Sequence, residues 1–326
     1  MIRAVFAIPG EISTRSGGYA YDREVLYAAP GVGLALNYLK LPGGFPHADG
    51  ARVARALALL AEARAPLLVD GLALGVLPAP EVAALEQPVV ALCHHPLAFE
   101  TGLDPDEADF MLIDEAAVLR EVAAVVTTSE TTAETLRTAL RVPPERITVA
   151  APGLARAPAA PRRGAPPVIL SVGSITRRKG HDLLIKALAT LTDLDWRLRI
   201  LGSVEADPAW AEELGVRIAI AGIAERATLE GAAGDGVLAA AYAAADIFCL
   251  PSRYEGYGMV FAEAMMRGLP VVGLATGAVP EVVPGDAGTL VAEEDVAGLT
   301  AALRRFITDR AAADRAAAAG RAHALT

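Results

Sequence analysis

The chain has 326 residues, a formal net charge of −10, 53% hydrophobic and 5% aromatic residues, and two cysteines. That length suits two domains of ordinary size, each burying its own core, here mostly of Ala, Val and Leu. The acidic balance argues against a nucleic-acid partner. No apolar run reaches the roughly eighteen residues of a membrane-spanning helix, and Cys93 and Cys249, each inside an apolar run, read as small buried residues of a reduced cytosol, not as a disulfide or a metal site.

Residues 2–8 form an apolar run that reads as a buried parallel strand, not a cleavable leader, so a cytoplasmic location is expected. Residues 1–155 carry eleven Lys and Arg against nineteen Asp and Glu, with no basic cluster, so charge gives no support to peripheral membrane contact. Gly17-Gly18 precedes a short helical stretch over 19–27. Strand, glycine pair and helix make an architecture suited to an anion, although such a pair is more often only a turn. Strands are expected at 33–41, 67–70, 88–93 and 123–127, and helices at 49–63, 108–120 and 130–140. Strands alternating with helices imply a parallel sheet covered on both faces, with ligands beyond the carboxyl ends of the strands. Asp70-Gly71 and Cys93-His94-His95-Pro96 fall at such ends. A histidine there can bond a sugar hydroxyl or steady developing charge; the alternative is a structural loop pair. Metal binding at the pair lacks a third ligand at a useful spacing. The Pro/Ala-rich stretch 156–167 reads as a linker between domains 1–155 and 168–326.

The second half opens with a strand at 168–172 that runs into Gly173-Ser174-Ile175-Thr176-Arg177-Arg178-Lys179-Gly180, with a helix beginning at Lys179. Cations at a strand–helix junction suit a diphosphate; on any surface they are also common as solvated charge. A strand at 196–201, a helix at 237–245 and a strand at 246–251 lead into PSRYEGYGMVFAEAMMRGLPVV. There Glu255 precedes the turn Gly256-Tyr257-Gly258, a helix starts near Gly258, and Glu263 follows with seven residues between the two glutamates. A glycine-led helix start offers unpaired N–H groups, here of Gly258, Met259 and Val260, to an anion. Carboxylates would repel that anion but accept paired hydroxyls well, so the combination suggests a nucleotide sugar. The plainer reading is a surface Glu and a Glu that complements the helix dipole. Glu281 fits a helix start, and 294–322 reads as helical.

The run EGYGMVFAEAMMRGLPVVGLATGAVPEVV resembles the Glu-x7-Glu signature of retaining glycosyltransferases of family 4, which have the GT-B fold. The resemblance extends to ILSVGSITRRKGHDLLIKAL at 169–188, LEGAAGDGVLAAAYAAADIFCLPS at 229–252 and PEVVPGDAGTLV at 280–291, and is weaker in the first half. It implies an α/β fold of two Rossmann-like, doubly wound parallel-sheet domains facing across a cleft, the first binding the acceptor and the second the donor. It also implies a transferase moving a hexose from a UDP- or GDP-type sugar to a glycan or lipid-linked acceptor in polysaccharide assembly. The nucleotide sugar is a co-substrate; no cofactor is implied, and no metal, since no Asp-x-Asp stands on a plausible loop.

By the same resemblance Glu263 takes the ribose, Glu255 the donor sugar, Lys179 and the amides after Gly258 the diphosphate, Gly231 the base, and Gly17-Gly18 lie near the donor phosphates. The family's histidine falls on His94, with His95 in second place. Ser174 stands where the family has arginine, so Arg178, or Arg177 after it, supplies the guanidinium. The family's last helix returns to the first domain; here either 310–326 does so or the helix is missing. Two alternatives stand beside transfer: a noncatalytic partner of a transferase, and a GT-B epimerase or phosphorylase.

Overall fold

The computed structural model describes residues 2–326. The chain forms two compact units, Met1–Pro152 and Gly153–Thr326. In the first, six strands, β1 (Ile2–Pro9), β2 (Leu34–Leu41), β3 (Leu67–Asp70), β4 (Val89–Cys93), β5 (Ala124–Thr127) and β6 (Ile147–Val149), make an all-parallel sheet in the order β2-β1-β3-β4-β5-β6. In the second, β7 (Val168–Val172), β8 (Arg197–Leu201), β9 (Ala227–Leu229), β10 (Ile247–Leu250), β11 (Val271–Leu274) and β12 (Gly288–Val291) pair in parallel as β12-β11-β10-β7-β8-β9.

The inner strands of both sheets are largely buried on both faces, which is why they are nearly continuous apolar runs, whereas the edge strands are only partly buried. Side chains along a strand alternate between faces. Phe6 and Ile8 pack with Tyr21 and Leu92 beneath helix Gly17–Ala28, whereas Ala7 between them packs with Leu60 and Leu74 on the other side. In the second unit Cys249 and Val272 face Leu183, Leu188 and Leu303, while Phe248, Leu250 and Val271 face Tyr242, Phe261 and Met265.

Several boundaries differ from the sequence reading. Residues 157–164 dock on the second unit: Ala160 donates its N–H to the Arg267 carbonyl at 2.7 Å, and Arg321 donates to the Ala157 carbonyl at 3.1 Å. The helical stretch expected over 294–322 is two helices, Val296–Thr308 and Arg310–Ala324, because Asp309 leaves helical geometry and caps the second one through the Ala312 N–H at 2.9 Å. Ala312, Ala313, Ala316, Ala317 and Gly320 form the buried stripe of that last helix, which packs on helix Met259–Met266. A Cβ on Gly320 would lie 3.0 Å from Met265 Cγ.

Helix Pro105–Glu121 buries a carboxyl. Glu115 Oε2 accepts the Leu97 N–H at 2.8 Å, and burial, only partly offset by that bond, pushes its pKa from 4.5 up to about 8. Between those values the fold binds more protons than the unfolded chain. The stabilising contribution is therefore fully present below pH 4.5 and is lost as pH rises through 8. Over pH 5–8 this one group costs on the order of 3 kcal/mol. In Glu115→Gln that dependence disappears, so the melting temperature of the variant relative to wild type is expected to climb steadily from pH 5 to 8. A flat difference would remove Glu115 as the cause.

Candidate active site

Each sheet reverses its strand order once, and ligands of open α/β sheets bind beyond the carboxyl ends of strands at that point. In the second sheet the reversal lies between β7 and β10. After β7 the chain passes Gly173-Ser174 and makes a single tight turn, Arg177–Lys179. Gly180, with φ 65°, ends the turn in left-handed geometry, so helix His181–Ala189 starts after it and not at Lys179. After β10 the chain continues through Ser252 to Glu255.

These two loops meet. Lys179 Nζ donates to Glu255 Oε1 at 2.6 Å, Ser252 Oγ donates to the same oxygen at 2.6 Å, and Arg178 Nη1 lies 3.6 Å from Oε2. Burial pushes the Glu255 carboxyl up, but the Lys179 and Arg178 charges and the bonds from Lys179 and Ser252 outweigh it and hold the group below the usual carboxylate range. Two glycines permit the approach. A Cβ on Gly180 would stand 1.9 Å from the Pro251 carbonyl oxygen, and one on Gly173 would press the Lys179 stem at 3.3 Å.

The adjacent arginines part company. Arg178 also donates to the Tyr254 carbonyl at 2.9 Å, whereas Arg177 stacks over Trp210 at 4.2 Å and lies 3.5 Å from Glu213. Arg253 donates to both Asp182 oxygens at 3.0 and 3.1 Å and to Glu294 at 2.5 Å, tying the Glu255 loop to helix His181–Ala189. The sequence reading missed Arg253 and Ser252, although both stand within three residues of Glu255.

Beyond Glu255 come Gly256 and the half-buried Tyr257, whose hydroxyl burial pushes up with help from the Glu281 charge. Helix Met259–Met266 starts at Gly258, φ 95°, with no side chain capping it. The leading N–H groups, those of Met259 and Val260, therefore lie at an uncapped, glycine-led helix start. Glu263 sits on that helix. Burial raises its pKa, partly offset by a hydrogen bond with Tyr242 and by the Arg267 charge; neither residue was foreseen. Gly231, φ 70°, follows β9 and accepts the Gly202 N–H at 2.8 Å.

In the first sheet the reversal lies between β1 and β3. Gly17 and Gly18 open helix Gly17–Ala28, capped by Ser16. A Cβ on Gly18 would stand 3.2 Å from His94 Cδ2, so the glycine makes room for that ring. His94 Nε2 is 3.0 Å from Asp22 Oδ1 and 3.8 Å from Asp70 Oδ2, and the Tyr21 ring meets the imidazole edge-on at 5.4 Å. Burial lowers the His94 pKa, but the Asp22 bond and the Asp70 and Asp22 charges outweigh it and raise the group overall. Asp70 is raised as well, chiefly by burial. His95 lies 3.5 Å from Glu100. Spacing along the chain offers no third ligand at the histidine pair; in the fold one oxygen each from Asp22 and Asp70 and the His94 nitrogen lie within 4.8 Å of one another. The fold brings them from three separate elements, which spacing along the chain does not reveal.

Among the described residues no helix is long and apolar enough to cross a membrane. Residues 157–323 match the model of the family "Glycosyl transferases group 1", and residues 8–153 match "Glycosyl transferase 4-like domain". Relatives include an MMP alpha-(1->4)-mannosyltransferase of Mycolicibacterium hassiacum, 30% identical over 70% of this chain and 58% of its own length. Another is a D-inositol 3-phosphate glycosyltransferase of Stackebrandtia nassauensis, 30% identical over 68% of this chain and 54% of its own. The chain thus spans little more than half the length of these relatives. Sucrose-phosphate synthase from Thermosynechococcus elongatus has a similar structure, with a TM-score of 0.83 at 21% identity, covering 99% of this chain and 94% of that one. So does Anabaena HepE, solved with UDP and glucose, at 0.78 and 19%, covering 99% and 95%. The two parallel sheets and these likenesses give a two-domain α/β fold of the GT-B class, and the chain belongs to the glycosyl transferases group 1 family.

Proposed function

We propose that the protein is a retaining glycosyltransferase that moves a hexose from a nucleoside-diphosphate sugar to a glycan or lipid-linked acceptor without a metal ion. The observation that carries this reading is the meeting of Lys179, Arg178 and Glu255 at the second sheet's reversal, next to the uncapped helix start at Gly258. Two cations and a helix N-terminus supply the positive charge that a departing diphosphate needs. Lys179 and Arg178 take its oxygens together with the Met259 and Val260 amides, and Ser174 lines the same loop. Glu255 holds the donor sugar by its hydroxyls, Glu263 the ribose, Gly231 the base by its backbone, and Gly256 and Tyr257 shape the turn between them. The acceptor attacks from the face the diphosphate leaves, and a leaving phosphate oxygen takes the acceptor's proton, so the anomeric configuration is kept.

The mannosyl- and inositol-phosphate glycosyltransferase relatives, and HepE with UDP and glucose, support a nucleotide-sugar donor of this kind. The test is a thermal-shift panel with UDP, GDP, ADP and their hexose conjugates in EDTA. One nucleotide is expected to raise the melting temperature of the wild type but not of Glu263→Ala. A silent panel would favour a noncatalytic partner, and a shift that requires Mg²⁺ or Mn²⁺ would reject metal independence.

A further inference from the structure

The first unit holds a charge arrangement that the proposed chemistry leaves unused. Asp22 comes from the helix after β1, Asp70 from the end of β3, and His94 from the loop just after β4. All three therefore stand at the carboxyl ends of strands around that sheet's reversal, where ligands of such sheets bind. Asp22 is completely buried; its Oδ1 faces His94 Nε2 at 3.0 Å, and its carboxyl also shares a hydrogen bond with that of Asp70. Such groups are costly unless they serve another. The charges acting on His94 are those of Asp22 and Asp70, and those acting on Asp70 are His94 and Asp22. The other titratable groups facing this cluster are neutral near pH 7: Tyr19, which feels both carboxyls, Tyr21 against the ring, and Cys93 beside Asp70.

We propose that Asp22 and Asp70 are positioning residues for His94: they hold the ring by Nε2, so that Nδ1 is left to meet an oxygen of the bound sugar substrate. An ionised carboxylate at Nε2 accepts a proton from it, which fixes the tautomer. Nδ1 is the nitrogen that the two carboxyls leave. The ring is held on its flank by Gly18 and edge-on by Tyr21, yet keeps 20% of its side-chain surface exposed. Asp70, raised by burial and by its hydrogen bond with Asp22, adds its charge to that of Asp22 only as it ionises, and the ionised pair favours imidazolium more strongly than one acid would. Only the identity of the substrate rests on the glycosyltransferase reading; the hold on His94 does not.

The experiment is a long-range ¹H–¹⁵N titration of histidine in the full chain, in EDTA, with His94 assigned by its loss in His94→Gln. The wild type should keep Nε2 protonated and titrate above the ordinary 6.5. Asp22→Asn should lower the midpoint by about one unit or more and release the tautomer; Asp70→Asn should lower it less and keep the tautomer. A wild-type midpoint at or below 6.5, or one that neither variant moves, overturns the proposal. So does a stoichiometric shift of the His94 signals by Zn²⁺ or Mn²⁺ that EDTA reverses, which would make the cluster a cation site. The wild-type midpoint decides even if Asp22→Asn does not fold. If the titration behaves as expected but no nucleotide sugar is turned over, it is the glycosyltransferase reading that fails.

Discussion

Lys179→Ala is expected to reduce turnover of the nucleotide sugar about 100-fold or more, the loss of on the order of 2–4 kcal/mol of transition-state stabilisation that one well-placed charge supplies. The same change strips the buried Glu255 of its nearest cation, at 2.6 Å, and leaves Arg178 at 3.6 Å. Removing one member of a buried pair costs stability because the other stays uncompensated. The two effects separate in the cycle of wild type, Lys179→Ala, Glu255→Gln and the double variant, which no longer leaves the Glu255 carboxylate without its lysine. The double variant should melt higher than Lys179→Ala, while its turnover stays below that of Glu255→Gln, which itself lacks the carboxylate that holds the donor sugar. Steady-state kinetics and thermal melts on the four proteins check this. Near-normal turnover in Lys179→Ala would reject the role given to the lysine, and turnover that recovers with stability would make its effect one of folding alone.

Gly180→Ala should be nearly as damaging without touching any substrate. The new methyl would overlap the Pro251 carbonyl at 1.9 Å, and the backbone at φ 65° is one that residues with a Cβ rarely adopt. Left-handed strain alone is worth about 1–3 kcal/mol. Here the overlap also pushes the Lys179 turn away from the Glu255 loop, so turnover should fall by at least about 10-fold, since small misplacements of reacting groups are expensive. Gly231→Ala is the comparison: its φ is 70°, but the added methyl meets nothing within 4 Å. If both variants melt alike, strain and not overlap governs the site, and if both retain full turnover, the spacing of the two loops is immaterial.

How much was legible follows from how far apart the partners lie along the chain. Glu255, Gly258 and Glu263 fall within one loop and one helix, so their joint chemistry could be read from a short string. Most strands were equally plain, because a parallel sheet buried on both faces writes itself as apolar runs; the short edge strands β6 and β9, and β12, were not read from the sequence. Lys179 lies 76 residues from Glu255, and only the family resemblance linked the two beforehand. Whether Arg177 or Arg178 turns to Glu255 depends on Trp210, which stacks the former away, and no local pattern carries that. Asp22 was invisible for a related reason. One acid among 39 has no distinguishing mark until the sheet brings it to His94. The sole signal was its position four residues after Gly18, on the same helical face.

The helix that offers its amides and carries Glu263 is eight residues long, about two turns. Helices so short do not persist by themselves in water; nearly all of their order is borrowed from what they pack against. A large part of that support is helix Arg310–Ala324, whose Gly320 sits against Met265 and whose Arg321 donates to the Met266 carbonyl. The readiness of the proposed anion site is therefore set some sixty residues away, by a stripe of alanines with no chemistry of its own. Fraying of that stripe and loosening of the Met259 and Val260 amides form one cooperative event, to be seen as shared hydrogen-exchange behaviour.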